Sequence, residues 1–146
     1  MSSGVNLHIL VGNIGNDPED LRYTPKGTPV LNISLATNRS YKDKQTGDMV
    51  ENVDWHRLVL FNKLAELVKQ YCIKGSQMYF QGESRTRSYV DENSVKRYVT
   101  EVVVNEMRFL GGGKKNSADS VLEQGGTIQD NLSDDNAFDE YSANAK

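Results

Sequence analysis

The sequence predicts an all-β fold of five strands with one short helix, followed by an acidic tail. Three observations support this prediction. Apolar and polar residues alternate in several separate segments of the first 110 residues, which is the period of a half-buried strand. One segment between them has the period of a helix instead. After Leu110 the chain becomes rich in Gly, Ser, Asn and Asp, a composition typical of disorder.

Three strands precede the predicted helix. Alternation places the first over residues 5–11, the second over residues 31–36 and the third over residues 53–61. Residues 38–49 are polar, contain Gly47 and carry several cations, so they predict a long hairpin loop with a basic side.

The predicted helix lies between the third and fourth strands. Apolar residues at positions 64, 67, 68, 71 and 72 form one stripe, with Asn62 placed to cap its start and Lys74–Gly75 placed to end it. Two more strands follow, over residues 76–89 and from Val95 to about Val104, joined by a turn at residues 90–94. Five strands with a helix between the third and fourth is the layout of an OB-fold barrel, which commonly binds oligonucleotides or oligosaccharides.

Composition and charge narrow the possibilities. With one cysteine, Cys72, and two histidines, the chain cannot form an internal disulfide or complete a tetrahedral zinc site, and we expect no metal or cofactor. No apolar run approaches the ~18–20 residues of a membrane span, and no secretory signal is recognisable, so we expect a cytoplasmic location and no membrane partner.

The net negative charge of the chain comes from the tail. Residues 1–110 carry 14 Lys and Arg against 13 Asp and Glu, whereas residues 111–146 carry 3 against 7, a net of −4. The glycine triplet 111–113 marks the boundary. We therefore expect a domain over residues 1–110 and a disordered acidic tail over residues 111–146.

Aromatic and cationic side chains share faces of the predicted strands. Alternation puts Trp55, Arg57 and Phe61 on one face of the third strand and His56 on the other. In the fourth strand, Arg85, Arg87 and Tyr89 share a face, and Tyr41 lies in the basic loop. Rings interleaved with cations suit single-stranded nucleic acid, because rings stack on unpaired bases and cations neutralise phosphates.

For each of these residues the alternative to DNA binding is a purely structural role. A lone tryptophan on a strand is more often part of the core, although Arg57 on the same face of the strand favours a binding platform. Phe61 fits either role about equally. The arginines at positions 85 and 87 fit an ordinary solvated strand face, and His56 fits a structural role in the barrel interior or at a subunit contact.

Several segments, in this order and at these intervals, resemble the bacterial single-stranded DNA-binding protein family. They are Asn6–Gly15 (NLHILVGNIG), Asp54–Lys69 (DWHRLVLFNKLAELVK), Lys74–Tyr79 (KGSQMY), Arg85–Arg87 (RTR) and Arg97–Asn105 (RYVTEVVVN). The resemblance covers residues 5 to about 110. It implies an OB-fold, a homotetramer, and binding of single-stranded DNA without sequence preference during replication, recombination and repair.

The resemblance also implies roles for particular residues. Base stacking is expected from Tyr41, Trp55, Phe61 and Tyr89, more weakly at the two tyrosines because many members carry tryptophan there. Subunit contacts are expected from His56, Gln77 and Tyr79. The full set of cations expected at the DNA is Arg57, Lys44, Lys63, Arg85, Arg87 and Arg97.

The tail departs from the family pattern. Bacterial members typically end in an acidic stretch with a terminal Pro-Phe, which docks on genome-maintenance proteins. Here the acidic and aromatic residues expected to bind partners are Asp134, Asp135, Phe138, Asp139 and Glu140, but no proline precedes Phe138 and the chain continues to Lys146. We therefore expect weak recruitment of replication and repair proteins, as in a phage or plasmid version acting in a host cytoplasm.

Two other classes of function are alternatives to DNA binding. An OB-fold subunit devoted to protein assembly would bind nucleic acid weakly, and Trp55, Phe61 and the Arg-Thr-Arg segment argue against it. A metal-dependent nuclease would need carboxylates, and Asp17, Glu19 and Asp20 do cluster, but beside Pro18 they fit turn chemistry better. We expect a protein without enzymatic activity.

Overall fold

The computed structural model describes residues 3–111 and 128–129, in which a β-sheet closes on itself and one helix packs against it. The elements are β1 (His8–Ile14), β2 (Arg22–Tyr23), β3 (Pro29–Lys42), β4 (Met49–Phe61), α1 (Asn62–Tyr71), β5 (Gln77–Val90), β6 (Lys96–Gly111) and β7 (Ile128–Gln129). Five strands are long, and they form the predicted OB-fold barrel with the helix after the third of them. The two-residue strands β2 and β7 were not predicted, since two residues show no period.

The sheet closes because β1 pairs with two neighbours. The strand order is β1-β5-β6-β4-β3-β2, and the end of β1 also pairs with β3 through Asn13 and Ile14. Most neighbours are antiparallel, but β4 and β6 run parallel and pair through Leu58–Val102 and Val59–Val103. Beyond this short contact a cavity of about 330 Å³ opens between the two strands.

The core fills the barrel and the space under the helix. Leu35, Leu58 and Phe80 point inward from three different strands and are fully buried. On α1, Leu64 and Val68 pack against them, as the predicted apolar stripe requires. Cys72 is buried in the same core, in agreement with its place on that stripe.

The segment predicted as a long loop is mostly strand. β3 runs to Lys42 and β4 starts at Met49, so the connection is residues 43–48. Asp43 holds this turn, since its Oδ1 accepts a hydrogen bond from the Gln45 amide at 2.8 Å. The prediction was wrong because this hairpin is largely exposed on both sides, and strands without a buried face have no apolar alternation.

The helix ends also differ from the prediction. Phe61 occupies the N-cap position and, among the described residues, no side chain caps α1, while Asn62 is the first helical residue with φ of 55°. The helix stops at Tyr71, so Gly75 belongs to the following turn. There it has φ of 93°, which glycine adopts without strain, and its amide donates to the Ile14 carbonyl at 2.8 Å.

The apolar residues of the first predicted strand lie outside the core. Leu7, Ile9 and Val11 are exposed, whereas Leu10 and Ile14 are buried. β1 begins at His8, three residues later than predicted. The alternation does indicate a strand, but the side of β1 that carries Ile9 and Val11 points outward.

Most of the predicted tail lies outside the described residues, including every candidate partner-binding residue from Asp134 to Glu140. β6 extends to Gly111, one residue past the predicted boundary. β7 pairs antiparallel with β6, with Ile128 opposite Met107 and Gln129 opposite Glu106. Among the described residues, no helix combines the length and the apolarity needed to cross a membrane.

Candidate nucleic-acid interface

Aromatic and cationic side chains collect on one surface of β4, β6 and β5. Arg57 and Glu101 each lie one residue before the parallel pair Leu58–Val102, and the antiparallel register sets Glu101 opposite Arg85. Alternation extends this surface along each strand. We call it the outer face; its principal members are Trp55, Arg57, Arg85, Arg87, Tyr89, Arg97, Val99 and Glu101.

Trp55 is an exposed member of the outer face. Its side chain is 63% exposed, so the core alternative is wrong for this residue. The indole lies against Gly15 at the end of β1, where a Cβ would overlap the ring carbon Cζ3 and would lie 2.8 Å from the Ser34 hydroxyl. The ring is therefore supported by the backbone of Gly15, and its remaining surface is open to solvent.

Phe61 lies in a different environment from Trp55. It is 4% exposed and packs in a small cluster with Val30 and Val59, against which Val103 also packs. Such a ring offers no open face to a base. Of the two roles weighed for Phe61, the structure shows the core one.

Tyr41 and Lys44 lie on the projecting β3–β4 hairpin. Tyr41 is exposed and pairs with Val50, so by register it lies on the same side of the hairpin as His56, opposite to Trp55. Lys44 is exposed in the turn at the hairpin tip, and Lys63 is exposed in the first turn of α1. The structure therefore does not bring these three residues onto the outer face.

Three arginines of the outer face form salt bridges. The pairs are Arg85–Glu83 at 3.1 Å, Arg87–Glu101 at 2.7 Å and Arg97–Asp91 at 2.9 Å. They differ in depth, because the side chain of Arg97 is 58% exposed, whereas those of Arg87 and Glu101 are 14% and 6% exposed. Within residues 3–111 and 128–129, Arg57 forms no ion pair and is exposed.

Asp91 orders the turn that joins β5 to β6. Its Oδ1 accepts hydrogen bonds from the Asn93 and Val95 amides, and its Oδ2 accepts one from Arg97 Nε, each at 2.9 Å. The hydrogen bond from Arg97, and then that from Val95, lower the pKa of Asp91 below its ordinary 3.8. The ionised carboxylate thus tethers Arg97 beside Tyr89, which lies half-buried directly opposite it.

Sequence reasoning missed two charged residues, Glu101 on the outer face and Arg22 beside it. Both line a cavity of about 240 Å³ that Arg57 also lines, together with Asn16, Glu19, Asn32, Ile33, Ser34 and Leu58. Arg22 pairs with Val30 in a two-residue strand, which carries no periodic signal. Glu101 lies in a mostly apolar segment of β6, and its partner Arg87 is on another strand, so the sequence pattern does not reveal the pair.

The residues expected at subunit contacts fall in two places. His56 is half-buried at the mouth of the barrel, with Nε2 2.9 Å from the Thr37 hydroxyl and its ring 5.9 Å from that of His8. Gln77 and Tyr79 lie on β5 beside β1, with Tyr79 opposite Val11. Tyr79 thus borders an exposed apolar surface that we call the β1 strip, formed by Leu7, Ile9 and Val11.

The acidic cluster near the start of the chain has a structural role. Asp17 Oδ1 accepts a hydrogen bond from the Lys74 amide at 2.8 Å, and Asp20 pairs with Lys69 at 3.2 Å. Among the described residues, no group of three or more His, Cys, Asp or Glu side chains is arranged to hold a metal ion. These carboxylates connect the loop after β1 to α1 and to the turn that follows it.

The closed barrel, the helix after its third long strand and an exposed ring among arginines define an OB-fold protein with a surface suited to single-stranded nucleic acid. A profile of the Single-strand binding protein family matches residues 5–110, and the chain belongs to this family. A solved structure described as "Plasmodium falciparum SSB complex with ssDNA" has a TM-score of 0.68 and 30% sequence identity; the match covers 76% of this chain and 99% of that one.

Proposed function

We propose that this protein binds single-stranded DNA without sequence preference and performs no chemistry on it. The observation that carries the proposal is the exposed indole of Trp55 beside Arg57, whose guanidinium forms no ion pair within the described residues, on the outer face of a family member. A base of any kind presents a flat π-surface to the indole, so stacking does not depend on sequence. Family membership and the likeness to a protein solved with single-stranded DNA support the same ligand.

The chemistry of the outer face favours single strands over duplex. Trp55 reaches a base face only when that base is unstacked, and duplex DNA hides its base faces. Arg57 and the solvent-open Arg97 attract the phosphates, and displaced counterions make binding salt-dependent. Tyr89, half-buried opposite Arg97, supplies a second ring on the same surface.

We further propose that the chain acts as a homotetramer. The β1 strip is apolar and exposed, and a contiguous apolar surface of this kind is typical of a protein interface. In the described part of the chain, β1 pairs with β3 only at Asn13 and Ile14, so the other edge of its first half is open for pairing with a second copy. Gln77 and Tyr79 flank this surface, while His56 would act at a separate contact.

The cellular setting follows from the ligand. Exposed single strands arise during replication, recombination and repair, so we propose a protective role in these processes, in the cytoplasm at the nucleoid. Replication and repair proteins would be recruited through Phe138 and the neighbouring acids, weakly because no proline precedes Phe138.

A second candidate, an assembly subunit with weak nucleic-acid binding, is favoured by the β1 strip alone. The two candidates separate in one experiment. Because Trp55 is the sole tryptophan, intrinsic fluorescence reports directly on its ring. Addition of oligo(dT) should quench it, and the same concentration of duplex should not. Retention of labelled oligo(dT) with Mg²⁺ and without cleavage completes the test. Equal response to duplex, no response, or cleavage would contradict the proposal.

A further inference from the structure

Glu101 is a nearly buried carboxylate among the arginines of the outer face. It is 5% exposed, lies opposite Arg85 in the β5–β6 register and lines the same cavity as Arg57. Its Oε1 accepts a hydrogen bond from Arg87 Nε at 2.7 Å. A negative charge is therefore built into a surface that binds an anionic polymer in the proposed function.

The Arg87–Glu101 pair is too deep to exchange its partner with DNA. Removing one member of a buried ion pair leaves the other charge uncompensated, which is strongly destabilising. A phosphate that took Arg87 would remove the 2.7 Å hydrogen bond from the nearly buried Glu101 carboxylate and would place a second anion next to it. The charge of Arg87 is thus compensated inside the protein.

The other two pairs of the outer face lie nearer to water. In the Arg85–Glu83 pair the two side chains are 25% and 44% exposed, and in the Arg97–Asp91 pair they are 58% and 20% exposed. Arg97 is the most exposed of the three arginines, and an ion pair at such a position is screened by salt, so a phosphate can replace its carboxylate partner. Depth therefore separates the exchangeable Arg97 from the fixed Arg87.

We propose that Glu101 sets the net charge of the DNA-binding face by neutralising Arg87 in both the free and the bound protein. Arg87 then joins β5 to β6 beneath the bound strand and contributes no phosphate contact. Arg57 and Arg97 make the contacts with the DNA backbone. The inference rests on the proposed function and specifies which cations of that site are available to phosphate.

The salt dependence of binding tests this assignment. Each neutralised phosphate of a single strand adds ~0.7 to the slope of log K against log salt. Glu101→Gln uncovers the charge of Arg87, so it should bind oligo(dT) more tightly at low salt and with a slope steeper by ~0.7. Between 50 and 200 mM salt its affinity should fall about 2.6-fold more than that of the wild type. Glu66→Gln is the matched control, because the same charge is removed from an exposed site on α1.

A double variant keeps the test decisive if Glu101→Gln does not fold. Arg87→Gln with Glu101→Gln replaces the ion pair by two amides, and it should retain the wild-type slope. If Arg87 contacts phosphate in the wild type, this variant should instead have a slope shallower by ~0.7. Circular dichroism checks that each variant is folded.

The two proposals fail in different ways. A folded wild type that does not bind oligo(dT) would refute the proposed function. A wild type that binds, with Glu101→Gln unchanged or weaker, or with the double variant shallower, would refute only the role of Glu101.

Discussion

Trp55→Ala is the most direct perturbation of the proposed interface. The indole is 63% exposed, so its removal should cost about 1 kcal/mol of stability or less, whereas the loss of one stacked base costs ~1–3 kcal/mol of binding free energy. That range corresponds to about a 5- to 140-fold weaker affinity. Fluorescence anisotropy of a labelled oligo(dT) measures it without relying on the tryptophan.

Two further variants serve as comparisons for Trp55→Ala. Gly15→Ala leaves the indole in place but puts a methyl group where Cζ3 now lies, so the ring must tilt, and affinity should fall by no more than in Trp55→Ala. Tyr23→Ala removes an exposed ring outside the outer face and should leave affinity unchanged. The stacking argument would be wrong if Trp55→Ala unfolded the protein, or if its affinity for oligo(dT) matched the wild type.

Three other predictions concern the fold, the assembly and pH. Gly82→Ala should destabilise the barrel by at least about 2 kcal/mol, because the new Cβ would overlap the Val103 carbonyl, and a thermal melt that matched the wild type would exclude this. Ile9→Asp should dissociate the proposed oligomer, which light scattering would show as a fall in mass; an unchanged mass would exclude the β1 strip as the contact. Since the pKa of Asp91 is lowered below 3.8, its ionised form stabilises the β5–β6 turn above that pH, and this contribution is lost as pH falls through the lower folded-state value. Asp91→Asn should remove that acid transition from the NMR shifts of the turn amides, and its persistence would assign the transition to another group.

Local sequence patterns were sufficient to predict the helix, the five long strands and the relative sides of their residues, although residues 38–49 were wrongly predicted as a loop. Alternation around Trp55 and Arg57 placed them on one face, and the structure confirms it, because successive side chains of a strand must point to opposite sides. The helical stripe through Leu64 and Val68 was equally readable, because it depends only on neighbours a few residues apart. The family followed from ordered local motifs.

Which of these faces are open, and which arginines have a carboxylate partner, depends on contacts between segments that are distant in sequence. Trp55 and Phe61 share a face of β4, yet one is exposed and the other is covered, because burial depends on what distant segments pack there. Alternation likewise did not show whether Leu7, Ile9 and Val11 face the core or the solvent, and in the structure they face outward. Arg87 looks like any surface cation in sequence, and its neutralisation by Glu101 follows from a register between β5 and β6. A local pattern shows to which side of its strand a side chain points. The surroundings and the partners of that side chain depend on long-range pairing.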